Sequence, residues 1–347
     1  MTVPQRSATA TPPHLQRERR RALALALGAL AGVPLGISPR AAFAQKPGRS
    51  YRIGWLTTSS TRTEPYGIAF TKRLAERGFV EGRNLEIVFR SAEGKADAVP
   101  VLAAELKRLK CDLIFAPGNE AGLRAVSQTT RDISIVFVAT DFDPVAAGIV
   151  ARLARPGGNI TGVSLLQTEL PAKRVQVLQE LVPKMRRAGV LADTASAGQL
   201  KVTRTAAAQL GVELVVHEFT LPPYDFDAAF AAFKRAKVDA LLVLGSGYFV
   251  PSRKRIPQLA LQHRLPSVFH NDVWIEHGGL LSYGGNFSEA YRSAADLVAK
   301  VLNGANPGEL PMEQSTLIEM VLNLNTARAL KLKIPEAIRL RADRMIE

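Results

Sequence analysis

From Tyr51 onward, short apolar runs rich in β-branched and aromatic residues alternate with segments whose apolar positions recur at helical spacing. "YRIGWLT", "NLEIVFR", "CDLIFA" and "SIVFVAT" read as strands. "EPYGIAFTKRLAERG", "ADAVPVLAAELKRL" and "EAGLRAVSQTT" between them read as helices, the first ending on Gly78. The strands are continuously apolar, as expected where helices cover both faces of a parallel sheet. "DPVAAGIVARLA" reads as a further helix and "NITGVSLL" as a strand, after which the alternation begins again from "PAKRVQVLQELVP" to "PSVFH". Each half holds about 110 residues, the size of a domain. A second glycine-rich strand, "HGGLLSYGGNF", leads into a long helix, and the tail "STLIEMVLNLNTARALKLKIP" adds another strand and helix. The fold class that follows is α/β, with two Rossmann-like lobes of parallel sheet joined by a multi-strand hinge. The expected boundaries give 50–162 with 282–315 to one lobe and 163–281 with 316–347 to the other.

The joint between the halves is "LARPGGNITGVS", a glycine-rich loop that invites a phosphate-binding reading. A phosphate loop needs a strand before the glycines and a helix after them, so that backbone N–H groups converge on the anion. Here the order is reversed: a helix pattern precedes the glycines and a strand follows. The loop is therefore read as a helix stop leading into a hinge strand. Ile160–Ser164 and Leu281–Gly285 are the expected hinge strands, because both are strand-like crossings beside glycines.

The first 44 residues carry a different pattern. Arg19-Arg20-Arg21 precedes "ALALALGALAGVPLG", and an A-x-A site stands at Ala42-Phe43-Ala44, together the layout of a secretory signal. The apolar run is shorter than the ~20 residues that span a bilayer. Paired arginines before an alanine-rich segment resemble a twin-arginine signal, although the general secretory route accepts the same n-region. No cysteine follows the cleavage site, which argues against a lipid anchor. Removing residues 1–44, with six arginines and one glutamate, lowers the formal charge of the 347-residue chain from +14 to +9. The remaining charges are scattered and export removes the protein from nucleic acid, so none is expected as a partner. Cys111, the sole cysteine, excludes an intrachain disulfide and reads as a small buried residue.

Four segments carry a family resemblance: "GFVEGRNLEIVFRSAEG", "DFDPVAAGIVARLARPGGNITGVS", "GGLLSYGGNFSEAYRSAADLVAKVLNGANPGELPMEQST" and "LNLNTARALKLKIPEAIRLRADRMIE". Together they span nearly the whole chain from Tyr51. The sequence resembles ABC transporter substrate-binding proteins related to the tryptophan/tyrosine-type binding proteins. The resemblance implies a type I periplasmic binding protein fold: two α/β lobes, three crossovers and a ligand in the cleft. It implies an exported, soluble, periplasmic protein that hands a small molecule to an ABC permease in the inner membrane. Where such proteins often carry a small-polar "GT-P-A" loop after the third strand, this chain has Pro117-Gly118-Asn119-Glu120-Ala121.

Ligands of parallel α/β sheets bind outside the carboxyl ends of the strands. Reading each strand's exit gives Thr57, Thr58 and Ser59 in the loop to Thr61, with Tyr66, then Asn119 and Glu120, then Thr140 and Asp141. The second lobe contributes Ser246, Gly247, Tyr248, Asn271 and Asp272. Hydroxyls and N–H groups suit a carboxylate, and Glu120, Asp141 or Asp272 suits an ammonium, so an amino-acid-like or carboxylate-bearing ligand is expected. Tyrosines supply stacking surface. Asp143 before Pro144 reads as a helix cap. His270 and His277 with Asp272 are the nearest approach to a metal set, but no cysteine joins them and no metal or other cofactor is expected. No G-x-S-x-G, H-E-x-x-H or P-loop occurs, so a monomeric binding protein is favoured over an enzyme. The rival readings are an exported α/β enzyme using His270, Asp272 and Glu120, and a ligand-sensing subunit of a membrane signalling system.

Overall fold

Two parallel sheets, each covered by helices on both faces, build the protein from Tyr51 to Ile346 in a computed structural model. The structure describes residues 49–347 apart from 59, 60, 96, 141, 166–169 and 221. The expected leader, Ser59 and Asp141 lie outside the described residues.

The first sheet contains β1 (Tyr51–Thr57), β2 (Leu85–Ser91), β3 (Leu113–Gly118), β4 (Ser134–Ala139), β5 (Ile160–Leu165) and β11 (Glu313–Ser315). Their order is β11-β5-β4-β3-β1-β2, and every pairing is parallel. Alternate residues of the inner strands β1, β3, β4 and β5 enter two separate cores, which is why those strand sequences show no polar face, whereas the edge strands β2 and β11 carry Glu86, Arg90 and Gln314. Ile53, Trp55, Leu113, Phe115, Val136 and Val138 pack with α1 (Pro65–Glu76) and α9 (Phe287–Leu302). Leu56, Ile114, Ala116, Ile135 and Phe137 pack on the other side with α2 (Ala98–Arg108) and α3 (Glu120–Thr129). Burying one such side chain stabilises by roughly 1.5–3 kcal/mol. Arg73 and Arg77 of α1 both bond Asp296 of α9, which ties this late helix to the first lobe.

The second sheet contains β6 (Arg187–Asp193), β7 (Glu213–Phe219), β8 (Ala240–Val243), β9 (Ser267–Phe269), β10 (Leu281–Gly285), β12 (Ile318–Asn323) and β13 (Arg344–Ile346). The order is β13-β12-β10-β9-β8-β6-β7, parallel except for β10 against β12. One face is covered by α4 (Leu170–Leu181), α5 (Ala197–Gln209), α10 (Leu324–Ala329) and α11 (Glu336–Arg341). The other carries α6 (Phe226–Ala236), α7 (Arg255–Gln262) and α8 (Val273–Glu276). Helix starts follow their sequence signals. Asn119, Asp225 and Asn286 each accept a backbone N–H of the first turn of α3, α6 and α9.

The chain leaves the first sheet after Leu165, returns to that lobe between β10 and α9, and crosses again between β11 and β12. The boundary expected between residues 162 and 163 falls inside β5, all of whose pairing is with β4 and β11. The boundary expected after 281 falls inside β10, which pairs with β9 and β12. The glycine of β5 serves close approach: a Cβ at residue 162 would meet the Phe137 carbonyl oxygen at 2.4 Å.

The helix expected over "DPVAAGIVARLA" is absent, and turns and bends replace it. The Asp143 carboxylate accepts from Val145 and Ala146 N–H as a cap should, and the Asp143 carbonyl closes one helical turn on Ala147. Gly148 then adopts φ 67°, a left-handed conformation that ends propagation. Downstream, Gly157 donates to the Gly308 carbonyl at 3.0 Å, so the glycine-rich loop is packed against returning chain.

Candidate functional site

The carboxyl ends of β1, β3 and β4 face those of β8 and β9 across a cavity with about 60 Å³ of room for the centres of water-sized spheres. That is several times the ~10–15 Å³ needed by one water. Thr57, Thr58, Gly118 and Thr140 line it from the first lobe, with an aromatic wall of Tyr66, Phe287 and Tyr291. Ser246, Gly247, Val250, His270 and Asn271 line it from the second. Tyr66 and Tyr291 lie with ring centroids 4.7 Å apart, and the wall continues through Phe70 and Phe115 to Trp55. Burial, with Tyr66 and Glu64 adding to it, drives the Tyr291 phenol far above its ordinary range.

Two residues lining this cavity carry a buried polar atom with no hydrogen-bond partner within the protein, His270 Nδ1 and Asn271 Oδ1, and beside the cavity the Asn119 amide reaches towards the Tyr248 phenol. An unpaired buried polar group costs ~1–3 kcal/mol, so such groups mark places where a partner is meant to arrive. Asn119 is fixed by its second task, since Oδ1 caps α3 by accepting from Gly122 N–H at 3.1 Å. Across the cleft, burial raises the Tyr248 phenol, and the nearby Asn119 amide partly opposes that rise.

Ser246 is turned inward. Its hydroxyl donates to the Asp193 carboxylate and accepts from Tyr248 N–H at 3.1 Å. Asp193, fully buried at the end of β6, also accepts from Tyr224 Oη at 3.2 Å and Ser196 N–H at 3.0 Å. This carboxylate shapes the second lobe's side of the cleft and was not anticipated. The strand pattern "RAGVLA" stops one residue short of it; carried to 193, the strand-exit rule selects it.

Two expected ammonium partners point elsewhere. Glu120 pairs with Arg124 one turn along the half-exposed face of α3. Asp272 pairs at 2.7 Å with Arg344 of β13. Both carboxylates found cations nearer than the cavity, which the strand-exit rule cannot foresee. His270 lines the cavity, and His277 Nε2 accepts from Arg253 at 3.2 Å. Among the described residues no three His, Cys, Asp or Glu side chains gather in a metal-binding cluster. Arg253 also bridges the lobes, reaching the buried Glu64 at 3.1 Å.

Burial, with the Arg174 guanidinium adding to it, pushes the His270 imidazole down to about 3. A histidine in the unfolded chain gains its proton near pH 6.5. The unfolded state therefore binds more protons between these values, and stability is full above about pH 6.5 and lost as pH falls towards 3. The loss is at most ~1.4 kcal/mol per pH unit. In thermal denaturation at pH 7.5 and pH 5, His270→Gln should lose less stability on acidification than the parent protein. Equal losses would mean that His270 is not held neutral.

Residues 64–346 match the family model described as ABC transporter substrate binding protein. The chain is 26% identical over 322 residues to the tyrosine-binding protein of Clostridioides difficile (strain R20291), covering 88% of this chain and 91% of that protein. A conserved domain protein from Vibrio cholerae superposes with a TM-score of 0.77 at 25% identity, covering 86% of this chain and 100% of that one. The ABC domain of Streptococcus pneumonia in complex with L-Trp superposes with a TM-score of 0.74 at 23% identity, with coverage of 86% and 100%. The two-lobed architecture is that of type I periplasmic binding proteins.

Proposed function

Because the chain belongs to the ABC transporter substrate binding protein family, we propose that it is the exported receptor of an ABC importer, capturing a small molecule between its lobes and delivering it to an inner-membrane permease. The observation that carries this reading is the cavity at the strand ends of both lobes, whose lining includes two unpartnered buried polar atoms, His270 Nδ1 and Asn271 Oδ1. A molecule that bonds Thr58 or Asn119 on one lobe and His270 and Asn271 on the other engages both only when the lobes are together. Binding then favours closure by that difference in affinity, and the three chain crossings serve as the hinge. No chemical step is needed, and the ligand leaves unchanged.

The ligand is read as amphipathic. The Tyr66, Phe287 and Tyr291 wall suits an aromatic ring, and the Thr58 hydroxyl, with the Asn119 amide beside the cavity, suits a carboxylate. The tyrosine-binding relative supports an aromatic amino acid or a close analogue. The secretory-signal pattern over residues 1–44 supports export to the periplasm and a mature start near Gln45, and the protein is read as working as a monomer. No helix among the described residues is long and apolar enough to cross a membrane.

Calorimetric titration of the mature protein with L-tyrosine, L-tryptophan, L-leucine and benzoate tests the reading. At least one aromatic compound should bind and be recovered intact. Asn119→Asp keeps the α3 cap and removes the Nδ2 donor, so it should weaken that binding by at least ~1–3 kcal/mol. Asn271→Ala should do the same. Unaltered affinity in both folded variants would place the site elsewhere.

A further inference from the structure

The loop that carries His270 and Asn271 into the cleft continues into Asp272, and Asp272 does not face the cavity. Its Oδ2 accepts from Arg344 Nη2 at 2.7 Å. The same guanidinium lies 3.5 Å from Glu276 on α8 and 3.7 Å from Glu319 on β12. Arg344 belongs to the short last strand, held beside β12 by the register Val321↔Arg344. Glu319 in turn accepts at 3.0 Å from Asn286 Nδ2, the residue at which the chain passes from β10 into α9 of the first lobe. One cation thus touches the cleft loop, the helix after it and a strand that begins at a crossing between the lobes.

We propose that Arg344 is a positioning residue for the cleft, holding the loop of His270 and Asn271 against the hinge strand β12. The inference rests on the reading of that cleft as the ligand site. Without Arg344, three carboxylates crowd one place: Asp272, Glu276 and Glu319, with Asp343 beside them, bonded to Met320 N–H. His277, on the far side of Glu276, is the other titratable neighbour. Burial raises both Asp272 and Glu319, and Arg344 opposes the rise in each. In Arg344→Gln that opposition is gone. At neutral pH the ionised carboxylates repel and loosen the loop. As pH falls through their raised pKa values they become neutral, and the repulsion disappears.

Native-state hydrogen exchange, read as protection factors at pH 7.5 and pH 5, needs no ligand. Arg344→Gln should reduce protection at 271–276 and 318–320 by roughly tenfold at pH 7.5, the scale of one lost charge-assisted bond, with a smaller deficit at pH 5. Protection elsewhere in the sheets should stay unchanged. The double variant Asp272→Asn/Arg344→Gln should recover most of the loss at 271–276, because the unpaired charge is removed along with the cation. Titration with L-tyrosine should show the same pattern in affinity, weaker at pH 7.5 than at pH 5 relative to the parent protein. Unchanged protection at 271–276, a uniform loss across both lobes, or a loss equal at both pH values and not rescued by Asp272→Asn would each overturn the proposal. If the parent protein does not bind L-tyrosine, the exchange measurement alone decides the positioning role, and the failure belongs to the ligand reading.

Discussion

Replacing Gly284 by alanine should destabilise the protein by ~3 kcal/mol or more, at or beyond the upper end of ordinary overpacking. A Cβ at residue 284 would sit 1.8 Å from the carbonyl oxygen of His270. That oxygen is backbone and cannot rotate away, so β10 or the loop after β9 must move. Either shift disturbs the cleft, because His270 lines it and β10 ends at a crossing between the lobes. Denaturant unfolding followed by tryptophan fluorescence measures the effect, since Trp274 is buried beside both His270 and Phe269. Gly198→Ala is the control: nothing lies within 4 Å of its added Cβ, and it sits in α5. It should be neutral or stabilising by up to ~1 kcal/mol. Similar midpoints for the two variants would contradict the close approach at Gly284.

Asp193→Ala should be comparably severe. The carboxylate is fully buried and accepts three hydrogen bonds, from Ser196 N–H, Tyr224 Oη and Ser246 Oγ. Bonds to a charged acceptor contribute ~1.5–3 kcal/mol each, but they are not additive, and the freed hydroxyls recover part of the loss. A net cost of ~3 kcal/mol or more is expected. Asp193→Asn should cost less, because one oxygen remains while the new NH2 faces donors. The Ser246–Tyr248 turn is pinned by this network, so ligand affinity should fall along with stability. A midpoint for Asp193→Ala that implies a loss under ~1 kcal/mol would show that the network is not holding the turn.

Much of the frame was legible along the chain. The β–α alternation, the continuously apolar inner strands and the Asp143 cap are local facts, governed by period, burial on two faces and a capping side chain. Where local signals compete, the reading failed. "DPVAAGIVARLA" has helical spacing, but Gly148 in the left-handed region ends it after a single turn. Thr57, Thr58, Thr140, Gly247 and Asn271 were reachable because a strand's exit is a position in sequence as well as in space.

What the sequence determined by itself is therefore the class of fold, the presence of two lobes and most of the strand exits, since each rests on neighbours a few residues apart, together with the family, which rests on a resemblance along nearly the whole chain. What only the tertiary structure decided is which charges meet. Glu120 and Asp272 look like free acids along the chain, yet Arg124 holds one and Arg344, 72 residues later, holds the other. His270 carries no assigned place along the chain, and burial beside Arg174 makes it a neutral wall of the cleft. Electrostatics and desolvation act through space, between strands whose order in the sheet is not their order in the chain, so the pattern of residues leaves those partnerships open until the sheets are assembled.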